Sequence, residues 1–308
     1  MTTIGIDASK TELMLGVGDR TSKLRNDHVR LRAWAQSLDE DTRVGIEATG
    51  RYHRPMLRAL HEAGVCSYLL NPMHVCRYIK AIKPKVKTDR TDAIFIARYL
   101  EREHDLLVPY KMPSPEIQEL KDLLSFRETL IEKRVALRQS LSEQTFRLKS
   151  QASLDEGFRS TIAEVDARIR TIARGRPLYK RLLTIDGVGP LGAAALTWLF
   201  ESHEFTSSDQ AVAFVGLDIS VRQSGKYIGK SKLTKRGPAF VRTFLHNGAN
   251  SLRNIEELKP LFEHHANKKL AKTAVNNIVS RKLVRIAYAF ATKPEAHYER
   301  KNLLPQLT

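Results

Sequence analysis

The sequence predicts an α/β domain with a mixed central sheet, followed by a long helical region and a second, mainly helical domain. Short apolar runs alternate with helical patterns up to about Glu103, no strand signal occurs from Pro113 to about Ala173, and the composition changes again at Leu182. The chain has 308 residues, more than the roughly 250 at which single cores stop growing, so two folded modules are the default expectation.

The first region, residues 1–108, alternates strand and helix patterns. It opens with a hairpin, and its remaining strands alternate with helices, which favours a mixed sheet. The expected strands are Ile4–Ile6, Leu13–Val17, Val44–Ile46 and Tyr68–Leu70, and the expected helices lie near Leu31–Leu38, Tyr52–Ala63 and Thr91–Arg102.

The middle region, residues 113–178, is rich in Glu, Lys, Arg, Leu and Gln, which favour helices. Its apolar residues recur every three or four positions, a spacing typical of a helical hairpin or a dimerising coiled coil. They are Ile117, Leu120, Leu124 and Ile131, followed by Ile162, Val165, Ile169 and Ile172.

We expect residues 179–295 to form the second compact domain and residues 296–308 to form a tail that frays. The segment Ile185–Gly189 resembles a helix-hairpin-helix turn, whose backbone N–H groups can hold a phosphate. A tight helix connection explains the same residues equally well.

The chain carries 51 Lys and Arg against 34 Asp and Glu, a formal net charge of +17 spread along its length. A polyanion is the simplest partner, although a ribosomal or membrane-surface protein would share this charge. The chain has two cysteines, Cys66 and Cys76, which we expect to be free thiols in a reducing compartment. No signal peptide or transmembrane run is apparent, so we expect a cytoplasmic protein without a membrane partner. No zinc, P-loop or dinucleotide-binding pattern occurs.

Four carboxylates form the first candidate site. Asp7 and Glu47 each follow an apolar strand, so adjacent parallel strands would bring them together. Asp89 and Asp92 stand three residues apart at the start of a predicted helix, a spacing that puts them on one face. Such a cluster suits Mg²⁺ or Mn²⁺ and phosphoryl transfer. Singly, each residue is explained as a turn or helix-start residue, and only the combination indicates a metal site.

A second candidate lies between Gly216 and Gly237, which is rich in Gly, Ser and Lys. Such a loop can approach a phosphate backbone closely, and Ser224 is a candidate nucleophile. Judged by residue type alone, a basic loop without covalent chemistry fits better, and Ser231 and Thr234 compete with Ser224. The residues expected to bind nucleic acid are Lys87, Arg90, Lys226, Lys230, Lys232, Lys235, Arg236 and Arg242.

Short motifs in a fixed order connect these sites with a known family. They are Gly5-Ile6-Asp7, Ile46-Glu47-Ala48-Thr49-Gly50, Asn71-Pro72, Lys87-Thr88-Asp89-Arg90-Thr91-Asp92-Ala93, Phe214-Val215-Gly216-Leu217 and Ser224-Gly225. Over nearly the whole chain they resemble the DEDD-type transposases of the insertion-sequence one-ten and eleven-eleven group, which are bridge-RNA-guided serine recombinases. The sequence departs from that pattern at Asp186, where proline is expected, and at Asp218-Ile219, where Thr-Pro is common.

The resemblance implies a RuvC-like, ribonuclease H-type domain whose acidic quartet is Asp7, Glu47, Asp89 and Asp92, with Ser224 as the nucleophile. It also implies a dimerising helical middle, a homodimer or tetramer, donor and target DNA, and a noncoding bridge RNA. The leading hypothesis is therefore metal-assisted strand exchange through a phosphoserine. Two rivals remain, a RuvC-like nuclease or resolvase that uses a metal-activated water, and a noncatalytic nucleic-acid-binding protein.

Overall fold

The computed structural model describes residues 2–48, 50–82, 89–146, 148–220, 223–224, 227–228 and 232–304. For residues 89, 90, 223, 224, 227 and 228 it describes the backbone only. The chain forms two compact units, Met1–Met112 and Pro113–Thr308. The finer division into four segments expected from the sequence stays a prediction, and Lys87, Lys226 and Lys230 lie outside the described residues.

The first unit is built on a five-stranded sheet with the strand order β3-β2-β1-β4-β5. The strands β1, β2 and β3 pair antiparallel, whereas β4 pairs parallel with both β1 and β5. The predicted mixed sheet that opens with a hairpin is thereby confirmed. The strands are β1 (Thr3–Ala8), β2 (Glu12–Val17), β3 (Arg20–Arg25), β4 (Arg43–Glu47) and β5 (Cys66–Leu70).

Four helices accompany this sheet: α1 (His28–Gln36), α2 (Arg54–Glu62), α3 (Pro72–Ile82) and α4 (Asp89–Glu103). The helix α1 begins at Asp27, whose side chain accepts a hydrogen bond from the Arg30 amide at 3.0 Å. Sequence analysis missed β3 and α3. Both lack a strong apolar pattern, because β3 is a polar edge strand without a buried residue and α3 buries only Val75.

A row of three glycines lets α4 pack directly on the sheet. Gly5 on β1 pairs with Gly16 on β2 and with Gly45 on β4. A Cβ atom on Gly5 would lie 2.2 Å from the carbonyl oxygen of Ala93, and one on Gly16 would lie 2.5 Å from the carbonyl carbon of the same residue. The absence of side chains in this row therefore sets how closely α4 approaches β1 and β2.

Replacing Gly5 by alanine is expected to lower the free energy of unfolding by about 3 kcal/mol, because backbone atoms of α4 cannot yield to the added methyl group. The matched control is Gly157→Ala in the second unit. A Cβ atom there meets nothing within 4 Å, and alanine favours the helix by up to about 1 kcal/mol. Thermal unfolding followed by circular dichroism measures both. An unchanged transition in Gly5→Ala would show that the helix does not rest on this glycine.

The second unit begins with a long helical hairpin formed by α5 (Pro115–Ser142) and α6 (Gln151–Arg174). Ser114 caps α5 by accepting from the Ile117 amide. Ion pairs that join the two helices include Arg127–Asp166, Arg134–Asp155 and Arg168–Glu119. Between residues 125 and 164, no residue that the structure describes is fully buried. Most of the hairpin's contribution to the core therefore comes from the start of α5 and the end of α6, although Leu130 also packs against the core.

The rest of the second unit is helical apart from two short strand pairs. One hydrophobic core joins residues of α5 and α6, such as Leu120 and Ile169, to residues of the later helices, such as Val279. The later elements are α7 (Pro177–Leu182), α8 (Pro190–Ser202), α9 (Ser208–Val215), β6 (Ile219–Ser220), β7 (Gln223–Ser224), β8 (Tyr227–Ile228), β9 (Lys232–Leu233), α10 (Ala239–Ser251), α11 (Lys259–Asn267) and α12 (Lys272–Thr292).

Residues 296–304 differ from the fraying tail expected after Glu295. Leu303 is fully buried in the core of the second unit. The Lys282 ammonium donates to the carbonyls of Leu303 and Leu304 at 2.7 and 3.1 Å, and Arg181 donates to the carbonyl of Ala296 at 3.0 Å. A single buried leucine is too weak a signal to be recognised in a short polar segment. None of the described helices has the length and apolar character needed to cross a membrane.

Candidate active site

Two of the four expected carboxylates lie side by side at the carboxyl ends of two inner strands of the sheet. The strands β1 and β4 are parallel neighbours, and Ile6 is in register with Ile46. Asp7 and Glu47 are the next residues on these strands, so they point to the same face on strands about 4.8 Å apart. Both are partly buried. The sequence prediction that adjacent parallel strands bring this pair together agrees with the register.

The face that carries Asp7 and Glu47 is the face on which α4 packs. Side chains alternate along a strand, so Asp7 shares a face with Gly5, and Glu47 shares a face with Gly45. Gly5 contacts the backbone at Ala93, and Asp92 directly precedes that residue in the first turn of α4. The sheet and the helix start therefore present their carboxylates on one side of the sheet.

Asp92 is almost buried, with 9% of its surface exposed. Its partner in the expected pair, Asp89, opens α4 three residues earlier, and its side chain lies outside the described atoms, as does that of Arg90. Within the described part of the chain, no group of three or more Asp, Glu, His or Cys side chains is arranged to hold a metal ion. Asp7, Glu47 and Asp92 nevertheless offer the carboxylate oxygens that Mg²⁺ prefers, so residue type and backbone placement fit a hard divalent cation.

Asn26 ties together the two loops that follow the carboxylate strands. Its side-chain amide donates to the carbonyl of Ser9, after β1, at 2.9 Å and to the carbonyl of Tyr52, after β4, at 3.1 Å. Its backbone amide also donates to the Thr11 carbonyl at 2.9 Å. Sequence analysis missed this residue, and no local pattern marks it, because its partners come from distant parts of the chain.

Ser224 lies in a β-hairpin rather than in an irregular loop. The strands β6 and β9 pair antiparallel, and so do β7 and β8, in which Ser224 is opposite Tyr227. Of the expected nucleic-acid ligands nearby, Lys232, Lys235 and Arg236 are exposed. These two strand pairs form a short arm that carries Ser224 and Lys232, and Lys235 and Arg236 follow it directly in sequence.

The arm is anchored by two segments, 214–218 and 234–237, which we call the hairpin base. The Thr234 amide donates to the Asp218 carbonyl at 3.0 Å, and the Lys235 amide donates to the Gly216 carbonyl at 3.0 Å. The Thr234 hydroxyl also donates to the Asp218 carboxylate. Asp218, where the resembling family commonly has threonine, thus has a definite local partner.

Two backbone features make the hairpin base tight. A Cβ atom on Gly237 would lie 1.9 Å from the Phe214 carbonyl oxygen, so only glycine fits there. Lys235 adopts φ = 52°, a left-handed conformation that is uncommon outside glycine. Arg242, expected to bind nucleic acid, instead donates from Nη1 to the carbonyls of Val215 and Gly237 at 3.0 and 2.6 Å. Its contact with nucleic acid stays a prediction.

The Ile185–Gly189 turn connects α7 to α8 and packs closely on α10. Gly187 has φ = 80°, and a Cβ on Gly248 would lie 2.0 Å from the Gly187 carbonyl oxygen. Asp186, found where the resemblance expects proline, accepts from the Tyr298 hydroxyl at 3.2 Å and from Arg300 Nε at 2.7 Å. The turn is a tight helix connection held by the chain end, and its expected phosphate contact stays a prediction.

Comparison with known proteins assigns the family. Residues 4–145 match the DEDD model of the IS110 transposases, and residues 179–263 match the model described as "Transposase IS116/IS110/IS902 family". The first segment contains all four carboxylates, and the second contains the serine hairpin with its base. This chain belongs to the IS110/IS1111 family of insertion-sequence transposases.

Two relatives are similar to this transposase over most of its length. The transposase for insertion sequence element IS1111A of Coxiella burnetii is 26% identical, over 81% of this chain and 77% of its own length. The pilin gene-inverting protein of Moraxella lacunata is 25% identical, over 85% of this chain and 84% of its own. Among solved structures, Thermus thermophilus RuvC aligns with 19% identity and a TM-score of 0.29, covering 35% of this chain and 99% of the RuvC chain.

Proposed function

We propose that this transposase catalyses RNA-guided DNA strand exchange between a donor and a target through a covalent phosphoserine. The observation that carries the proposal is the in-register pair Asp7 and Glu47 on the face covered by α4, whose first turn contains Asp92. A cluster of like charges is unfavourable unless a cation compensates it, and phosphoryl transfer is the chemistry that such metal sites support.

The carboxylates Asp7, Glu47, Asp89 and Asp92 would hold Mg²⁺ or Mn²⁺, which when bound would stabilise negative charge at the scissile phosphate and favour deprotonation of the attacking hydroxyl. In the first step the Ser224 oxygen forms a bond to phosphorus and loses its proton. The bond from phosphorus to the deoxyribose oxygen breaks, and the departing strand end takes up a proton as a free hydroxyl.

In the second step the hydroxyl of the partner strand attacks the phosphoserine. The new phosphodiester forms, the bond from phosphorus to the Ser224 oxygen breaks, and the serine regains its proton. Because each step exchanges one phosphate ester for another, no external energy source is required. The active form is a homodimer or tetramer in this proposal.

The recognition of nucleic acid rests on charge. The net charge of +17 and the exposed cations Lys232, Lys235 and Arg236 suit contacts with phosphate, which carry no sequence information. Sequence choice is then assigned to pairing of donor and target DNA with a noncoding bridge RNA. Affinity for the RNA and the DNA should fall steeply as salt is raised. Binding of the protein releases counterions from the phosphate backbone, and a higher salt concentration makes this release less favourable.

A plasmid assay tests the guide. Recombination between donor and target plasmids is expected only when the noncoding DNA that flanks the element is present, and replacing it by a scrambled segment of equal length should abolish the product. Changing the segment that pairs with the target should redirect insertion to the newly matched site. Protein levels measured by immunoblot provide the control. Full recombination with the scrambled flank would contradict RNA guidance and leave sequence choice to the protein.

A further inference from the structure

The guanidinium of Arg242 bridges the two segments of the hairpin base. Its Nη1 atom carries two hydrogens and donates to the carbonyl of Val215 at 3.0 Å and to that of Gly237 at 2.6 Å. Val215 ends α9, from which the chain enters the hairpin, and Gly237 follows the strand by which the chain leaves it. One side chain therefore joins the incoming and outgoing segments of the arm that bears Ser224.

Arg242 lies in the first turn of α10, near the carboxylate of Glu128 on α5. Burial raises the pKa of Glu128 on α5, as does the charge of Glu132, while Arg242 and the backbone N–H of Phe240 lower it. The Glu128 carboxylate lies near the N-terminal end of α10, a placement that the helix dipole favours. Its negative charge favours the charged form of the Arg242 guanidinium.

The position of Arg242 sets it apart from the other basic residues of this region. Burial lowers the pKa of the Arg242 guanidinium, whereas Lys235 and Arg236 are exposed to solvent. A phosphate ligand needs free donors that face the solvent, but Nη1 of Arg242 is already used within the chain. Its surroundings are those of a structural cross-link.

We propose that Arg242 is a positioning residue that holds the Ser224 hairpin at a fixed orientation on the helical core. The inference rests on the proposed function, in which Ser224 is the attacking group. A nucleophile displaced by about 1 Å loses on the order of a hundredfold in rate, so a small shift of the hairpin base suffices to slow the reaction.

The experiment compares Arg242→Met, Arg242→Lys and the control Arg285→Met in the full chain. Arg285 lies on α12, pairs with Asp209 at an exposed site, and its replacement removes the same charge and volume. Three quantities are measured: recombination, affinity for duplex DNA as a function of salt, and hydrogen exchange of the Thr234 and Lys235 amides, which bond within the hairpin base.

In Arg242→Met we expect exchange of these two amides to accelerate and recombination to fall, each by about tenfold to a hundredfold. DNA affinity and its salt slope should remain as in wild type. Lysine retains a donor that can reach one of these carbonyls, so both changes should be smaller in Arg242→Lys than in Arg242→Met. Arg285→Met should change none of the three quantities.

A different result overturns the inference. If Arg242→Met leaves amide exchange unchanged and instead weakens DNA binding, with a salt slope reduced by about one, then Arg242 is a phosphate ligand. Unchanged exchange with unchanged recombination also refutes the positioning role. Ser224→Ala is assayed in parallel. If it remains active, the serine mechanism fails, while the amide exchange still decides whether Arg242 holds the hairpin base.

Discussion

Replacing Ser224 by alanine is expected to abolish recombination while leaving the protein folded and able to bind DNA. Removing the attacking group of a covalent mechanism lowers the rate by about a thousandfold or more. Ser224 pairs with Tyr227 in β7–β8, and alanine preserves the backbone hydrogen bonds of that pair. The loss should therefore be confined to the chemical step. The measurement is product formation between donor and target plasmids, with the flanking noncoding DNA present.

The matched control for Ser224→Ala is Ser231→Ala, which removes a hydroxyl from the same basic segment and should leave recombination close to wild type. A second readout is the covalent adduct itself. Wild-type protein incubated with substrate DNA should give a denaturant-resistant protein–DNA species whose attachment site maps to Ser224 by mass spectrometry. Retained product in Ser224→Ala would assign the attack to a metal-activated water, as in a RuvC-like nuclease.

The sheet could be read from the sequence wherever one face of a strand is apolar. Ile4, Ile6, Val44 and Ile46 are all buried, and their pattern predicted the two strands whose ends carry Asp7 and Glu47. The edge strand β3 has no buried residue, so no apolar pattern marked it. Periodicity reports burial, and it cannot reveal elements that are formed by backbone pairing alone.

The serine hairpin and its base were predictable only in part. The sequence indicated Ser224 and a flexible basic segment. Gly225-Lys226, between Ser224 and Tyr227, also matches the type II′ signature of a tight hairpin, so the hairpin could have been predicted. The role of Arg242 could not have been predicted from the sequence. A basic residue in a basic region is read as a phosphate ligand, and its contacts with Val215 and Gly237 arise only from tertiary packing.

The acidic cluster leads to the second large expected effect. Asp7→Asn and Glu47→Gln each keep the shape of the side chain and remove a charge, and each should lower recombination by about a thousandfold, because loss of metal binding removes several kcal/mol of transition-state stabilisation. Without added metal, both variants should still unfold in one cooperative transition, which separates loss of function from loss of folding.

Metal binding provides a readout that is independent of catalysis. Added Mg²⁺ should raise the melting temperature of the wild type, since a ligand that binds only the folded state stabilises it, and this increase should disappear in Asp7→Asn and Glu47→Gln. The control is Glu12→Gln on the neighbouring strand β2, whose carboxylate pairs with Lys23 at 2.7 Å at an exposed site. It should retain both recombination and the Mg²⁺ shift. If Asp7→Asn and Glu47→Gln recombine normally, the quartet does not hold the catalytic metal, and the register of β1 with β4 reflects the fold alone.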